Sequence, residues 1–346
     1  MCRWTGLVIL ASALMSFIQS AVAYEAKHCD QALTPADDLV TALARLPESG
    51  PHQTICLSEG TFQLDRMLEI RRSGLTLQGK GSASTVLQMK QGVSSPVVVV
   101  GDARHQEPGF RVANVQIEAL AIRGSQKSAQ EFYPPLPYLS NSALIIRGGE
   151  DIDLEKLDVR HCRSACVLTE YDSRKVSLTD SHISDAQWDG ISLNRAGPTI
   201  ISGNTIRNNV AAGITVEYMT SSLISNNVIA GNGSHGLYLA DAEHNEFRSN
   251  DIHGNHLAGV FITCSIRHHD EVMCWDDSFS RDNTFVDNEF TQNRFGYQVA
   301  VDKAANCLDW ARPRNISRSD TFVASPNKEP RWEDFGRCLA FDAGES

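Results

Sequence analysis

Four segments of the chain share one plan: Gly190-Ile-Ser-Leu, Gly213-Ile-Thr-Val, Gly236-Leu-Tyr-Leu and Gly259-Val-Phe-Ile. Their glycines follow one another at intervals of 23 residues. A second column keeps the same period, in Asn204-Thr-Ile, Asn227-Val-Ile and Asn250-Asp-Ile. A later rung, Gly296-Tyr-Gln-Val with Asn288-Glu-Phe before it, comes after a longer interval, and Ala165-Cys-Val-Leu precedes the set at a slightly different spacing. Such a period marks stacked structural units. Within a rung the side chains alternate, with Ile214 and Val216 on one side and Thr215 and Glu217 on the other. A lone strand of this kind cannot bury its apolar face, whereas stacked coils cover one another. Asparagine at a turn tolerates left-handed backbone, and amides stacked in register can bond as a ladder. Abundant Asn, Gly and β-branched residues at this period exclude helices from the repeat region.

The chain opens MCRWTGLVILASALMSFIQSAVAYEA. Arg3, an apolar run from Leu7 to Ile18 and the small residues Ala21-Val22-Ala23 read as a signal peptide over residues 1–23, with the mature chain starting at Tyr24. The run is short for a membrane span, and no second run of 18 apolar residues exists. The expected location is therefore secreted or periplasmic. Without Cys2, eight cysteines remain, an even number that implies disulfides in an exported chain. Pairing neighbours gives Cys29–Cys56, Cys162–Cys166, Cys264–Cys274 and Cys307–Cys338. The net charge is −11, and one unit more negative without Arg3, which argues against a nucleic-acid partner. Against that background an acidic polysaccharide needs a local basic patch.

Residues 24–346 read as one domain. Thr34-Pro35-Ala36-Asp37-Asp38, followed by Leu39, Leu43 and Leu46, predicts a capped amphipathic helix over 35–50. TICLSEGTFQL and LEIRRSGLTLQGKGSASTVL follow. With the repeat, this succession resembles the single-stranded right-handed parallel β-helix of the pectate-lyase-like superfamily, over most of residues 35–325. The resemblance implies an all-β fold with an N-terminal capping helix and about 23 residues per coil. Hydrolases, lyases, epimerases and non-enzymes share that fold, so it does not select an activity. Two insertions interrupt the array, at 124–141 and at 264–283, and long ordered insertions tend to carry function. Residues 302–346 are expected to cap the last coil.

Adjacent coils lie about 4.8 Å apart, so equivalent positions form columns. Two residues past each glycine stand Ser192, Thr215, Tyr238 and Phe261; four past stand Asn194, Glu217, Ala240 and Thr263. Five past, where the strand turns, stand Arg195, Tyr218, Asp241 and Cys264, and Asp189 and His235 sit just before their glycines. His244 follows the strand that His235 enters. The expected groove takes Tyr238, His235, His244, Arg195, Glu217 and Asp241 as catalytic residues, and Asn194, Tyr218, Trp188, Arg267 and His268 as substrate-binding residues. Each also has a bland explanation, since an exterior strand face is polar and Arg195 with Glu217 can form an ordinary surface ion pair. The composition His268-His269-Asp270 with Asp276-Asp277 matches no trusted metal spacing, so no metal or cofactor is assigned; Ca²⁺ remains open without a clear motif.

For lyases and epimerases of acidic polysaccharides, the resemblance implies removal of the C5 proton after the substrate carboxylate is neutralised. Arg195 with Asn194 can neutralise, and Tyr238, His235 or His244 can serve as base and acid. The Tyr-Gly-x-Asp-Pro-His motif of mannuronan C5-epimerases is out of register, because its Asp and His fall on Tyr238 and Ala240. Polygalacturonase motifs are echoed by Trp188-Asp189-Gly190 and Ser234-His235-Gly236, but Ala211-Ala212-Gly213 stands where the paired Asp belongs. Three readings stay open: a lyase or C5-epimerase, a hydrolase using Asp189 and Glu217, and a non-catalytic carbohydrate-binding or envelope protein. The expected partner is a polysaccharide, and the chain is expected to be a monomer.

Overall fold

In a computed structural model, the described residues are 28–268, 271–274, 279–300, 307, 310–329 and 336–342; the side chains of 265–268 and 271–274 are outside the description. The expected signal segment, 1–23, lies outside the described residues. The chain winds through three long parallel sheets of 12, 10 and 9 strands, and visits each once per coil. The 23-residue period is the register itself, since Ile191 stands beside Ile214, Ile214 beside Leu237 and Leu237 beside Val260.

Apolar columns from the three sheets meet inside. The 10-stranded sheet supplies Ile183, Ile206, Ile229 and Ile252, all essentially inaccessible to water. Aromatic rings fill the later coils, where Phe247 stacks on Phe285 at 4.9 Å and Phe290 on Phe322 at 5.2 Å. Close packing explains the repeat glycines. A Cβ on Gly213 would come within 2.6 Å of Ile229 Cγ2, and one on Gly236 within 2.7 Å of Ile252 Cγ2.

The turn asparagines form the expected ladders. The amide of Asn204 donates to Asn227, that of Asn227 to Asn250, and that of Asn250 to Asn288. The left-handed conformation, expected for these same residues, belongs instead to the residue before each. Gly203, Asn226, Ser249 and Asp287 have φ between 53° and 71°. The two tasks are separate because a ladder amide must point inward, while the corner before it must reverse the chain.

The N-terminal helix is shorter than 35–50 and covers Leu39–Ala44, with the Asp38 carboxylate accepting from Thr41 N. Pro47 lies just beyond and cannot continue it. At the other end, residues expected as a cap carry strands Asn315–Arg318 and Thr321–Val323, which extend two of the sheets. Disulfides join Cys29–Cys56, Cys162–Cys166 and Cys307–Cys338, and Cys264 is also disulfide-bonded.

Both insertions form antiparallel hairpins. Phe132–Tyr133 pairs with Leu136–Ser140, and Ser265–His268 with Glu271–Cys274. The first covers the outer face of the 9-stranded sheet over its early coils. Val99, Ile145 and Leu168, which alternate outward from the main core, pack there with Leu139 into a second small core. That face is therefore closed at its early coils.

Candidate functional site

Beyond the first hairpin the outer face of the 9-stranded sheet turns polar. One column runs Arg147, Glu170, Asn194, Glu217, one residue per coil. Arg147 is fully buried. Its guanidinium donates to the Glu170 carboxylate at 2.6 Å and to the carbonyls of Asp102, His105 and Gln106 at 2.9, 3.0 and 2.7 Å. It also lies over the rings of Tyr138 and Tyr171. This one side chain ties the hairpin and the 102–106 loop to the strip.

Glu170 and Glu217 both sit in low dielectric. Burial pushes Glu170 up from its ordinary value, opposed by Arg147. Burial and then the Glu170 charge push Glu217 up, opposed by the Asn194 amide, which donates to it at 2.5 Å. Among the described residues Glu170 pairs with a cation, whereas Glu217 accepts from a neutral amide and faces the Glu170 charge. Asp189 lies beneath, almost sealed from solvent. Its carboxylate accepts from Ala212 N at 2.9 Å and from the Thr215 hydroxyl, and burial pushes it up to about 7.

Further along, His235 stacks on Phe261 at 4.6 Å and meets the edge of Tyr238 at 5.7 Å. Its Nε2 is 3.3 Å from Gln298 Oε1. Burial pulls its pKa down to about 4, so the imidazole is neutral near pH 7. Trp188 and Tyr218 are exposed, one before and one after the strands that carry the strip.

The structure thus brings together Glu217, Asn194, Tyr238 and His235 on one face. Other expected members fall elsewhere. His244 occupies a left-handed corner (φ 58°) between the short strand Ala242–Glu243 and the 12-stranded sheet. There it lies near Asp282 and Glu243, at 3.5 and 3.9 Å, and not on the strip. Arg195 is an exposed corner residue (φ 50°), and among the described residues it pairs with no carboxylate. Asn194 donates to Glu217, its neighbour in the expected column, and the surface ion pair between Arg195 and Glu217 is not formed. The Asp241 carboxylate accepts from Phe279 N at 3.3 Å, where the chain returns from the second insertion. The side chains of Arg267 and His268 lie outside the described residues.

Arg147 and Glu170 were not anticipated. Glu170 aligns with Asn194 at an offset of 24 residues, because the pairing of Val167 with Ile191 is one longer than the later coils. Counting from the Ala165 rung at the 23-residue period puts it one place out of column. The signal was the pattern of alternation in Val167–Glu170, not its distance from a glycine.

The fold has many relatives. An alginate lyase from Paenibacillus sp. str. FPU-7 superposes with a TM-score of 0.60 at 14% identity, covering 90% of this chain and 98% of that one. The Dettilon tailspike protein gives 0.56 at 13% identity, covering 85% and 68%, and pectate lyase Pel9A gives 0.53 at 11%, covering 92% and 82%. At these identities the likeness is one of fold. No curated protein matches the sequence. A family model described as periplasmic copper-binding protein (NosD) matches residues 138–321, just over half of the chain.

Proposed function

The chain belongs to the NosD family, and from that premise we propose that it is a carbohydrate-active β-helix protein holding a polysaccharide along the strip from Glu170 to Tyr238. The favoured chemistry is hydrolysis, with Glu217 as general acid and Glu170 as general base. One observation carries this reading: the two carboxyls share a column with Asn194 between them. Two coil spacings put their backbones ~9.6 Å apart. Inverting glycosidases separate their carboxyls by about 6.5–9.5 Å, which leaves room for a water; the backbone spacing lies just beyond that range, so the two side chains must lean together to reach it. Protonated Glu217 would deliver its proton to the glycosidic oxygen as the bond to the anomeric carbon breaks. Glu170, whose carboxylate Arg147 stabilises against the upward push of burial, would take a proton from the water that attacks the opposite face. Asp189 is almost sealed from solvent and is bonded to Ala212 N and the Thr215 hydroxyl, so this reading pairs Glu217 with Glu170 in its place.

Proton abstraction at C5 of an acidic sugar is the second reading. What favours it is His235, a neutral imidazole beside Tyr238 on the same face. Against it, a uronate needs its charge neutralised, and Arg147 is buried with its hydrogen bonds directed to protein acceptors.

Copper does not fit the described residues. Among them no three His, Cys, Asp or Glu side chains are grouped to hold a metal. Among the described side chains seven cysteines are disulfide-bonded and cannot offer thiolates. The family description, the disulfides and the lack, among described residues, of a helix long and apolar enough to cross a membrane support a periplasmic or secreted location.

A panel of neutral and acidic polysaccharides tests this function. Expected are new reducing ends with inverted anomeric configuration by NMR, abolished by Glu217→Gln and by Glu170→Gln. An unsaturated product, or solvent deuterium at C5 without cleavage, would transfer the function to His235 and Tyr238. Binding with no product of either kind would leave a carbohydrate-binding protein.

A further inference from the structure

An acidic glycan needs a basic surface on this negatively charged chain, and the outer face of the 10-stranded sheet carries one. There the pairing register sets Arg123, Arg160, Ser184 and Arg207 in a single column on successive coils. No acid stands in that column from Gln63 to Thr291. Asp158, in the next column, has a nearly buried carboxylate, with side-chain exposure of 9%. It grips Arg123 at 2.7 Å and Arg160 at 2.7 and 2.5 Å. One nearly buried anion thus orders two guanidiniums. Arg207 is exposed and, among the described residues, pairs with no carboxylate. His182 lies between these groups, its pKa pulled down by burial and then by Arg207. Asp185 accepts from the Ser184 hydroxyl at the corner, and the column of Asp158 also carries Asp251 and Glu289 two and three coils beyond Arg207.

We propose that this face binds a carboxylate-bearing polysaccharide laid along the helix axis, at a site separate from the strip on the 9-stranded sheet. Arg123 and Arg160 stand one coil apart, and Arg160 and Arg207 two, so cations recur at multiples of ~4.8 Å. A polymer with a carboxylate on every residue meets several of them at once, and linked contacts add avidity. Guanidinium forks suit carboxylates in both charge and geometry. On the strip around Glu170 and Glu217 the Arg147 guanidinium is fully buried, whereas Arg160 and Arg207 reach solvent and Arg123, 20% exposed, is held by Asp158.

Titration calorimetry of the full chain with a sized oligogalacturonate tests the site. Wild type should bind at low salt and weaken as salt screens the column. Arg207→Glu should lose on the order of tenfold in affinity, and Arg160→Ala should lose part of it. Arg174→Ala, on the 12-stranded sheet, should bind as wild type does, and a neutral dextran should not bind. Circular dichroism melts of Arg207→Glu should match wild type, whereas Arg160→Ala takes a partner from the nearly buried Asp158 carboxylate and should melt lower. Absence of uronan binding at low salt, survival of binding in Arg207→Glu, or its loss in Arg174→Ala would each overturn the proposal. Reducing-end assays on the same variants separate the two readings. Failure to cleave any glycan removes hydrolysis and leaves this site standing, whereas cleavage without uronan binding does the reverse.

Discussion

The side-chain amide of Asn194 donates to the Glu217 carboxylate across one coil, at 2.5 Å. It is the bond that opposes the upward push of burial and of Glu170 on Glu217. Replacing Asn194 by Ala removes a donor to the ionised form. The Glu217 pKa should then rise further, which ¹³C NMR of the side-chain carboxyl will read. If Glu217 is the general acid, the basic limb of the pH–rate profile should move up with it. An unchanged Glu217 titration would show that the bond does not act on its proton.

Asp189 should make stability fall with rising pH. Its folded pKa of about 7 lies above the ordinary 3.8, so folding takes up a proton between those values. The stabilisation is full below about pH 4 and is lost as pH rises to about 7. Asp189→Asn keeps an acceptor for Ala212 N without the charge. Its thermal midpoint should exceed that of wild type at pH 8, by an amount equivalent to roughly a few kcal/mol, and the gap should narrow at pH 4. Equal midpoints at pH 8 would mean that the carboxylate is not desolvated there.

His235 should act in the opposite direction. Its folded pKa of about 4 lies below the ordinary 6.5, so the unfolded chain is protonated first. Stability is full above pH 6.5 and is lost as pH falls toward 4. Imidazole NMR shifts should stay constant from pH 8 to pH 5. His235→Phe should retain the stack on Phe261 and be less sensitive to acid over that window. A titration near the ordinary value would place the ring in water.

Gly236→Ala should destabilise the fold although Gly236 has no left-handed backbone. The new methyl would come within 2.7 Å of Gly259 O and of Ile252 Cγ2. Overpacking of this kind costs about 1–3 kcal/mol, read as a lower denaturant midpoint. A mutant as stable as wild type would show that neighbouring coils can part at no cost.

Asn250→Ala should cost more than a surface change on the same turn. Asn250 Oδ1 accepts from both the backbone and the side chain of Asn227, and its amide donates to Ile224 O and to Asn288. Removing it strands several buried groups at about 1–3 kcal/mol each. Ser249→Ala, at the left-handed corner beside it, should cost less; the reverse order would mean that the corner, not the ladder, holds the turn.

The coil was legible because each coil meets the next through the same short set of residues. Gly213 and Gly236 recur where a Cβ would strike the isoleucine below, and Asn227 and Asn250 recur where an amide must bridge to the next coil. Those needs repeat with the stack, so they show as a period. The arrangement of the site was only partly visible. The sequence already put Glu217, Asn194 and Tyr238 on the outer face by alternation. It could not show that the early part of that face is closed by Tyr133, Leu136 and Leu139, since a hairpin's docking place is set by long-range packing. Nor could it show that a 24-residue offset brings Glu170 into line with Asn194, or that a left-handed corner places His244 beside Asp282. Local repetition determined the β-helix and its columns. Which columns stay open to solvent, and which carboxyls are desolvated there, was decided by the tertiary structure, because burial depends on segments that the repeat does not contain.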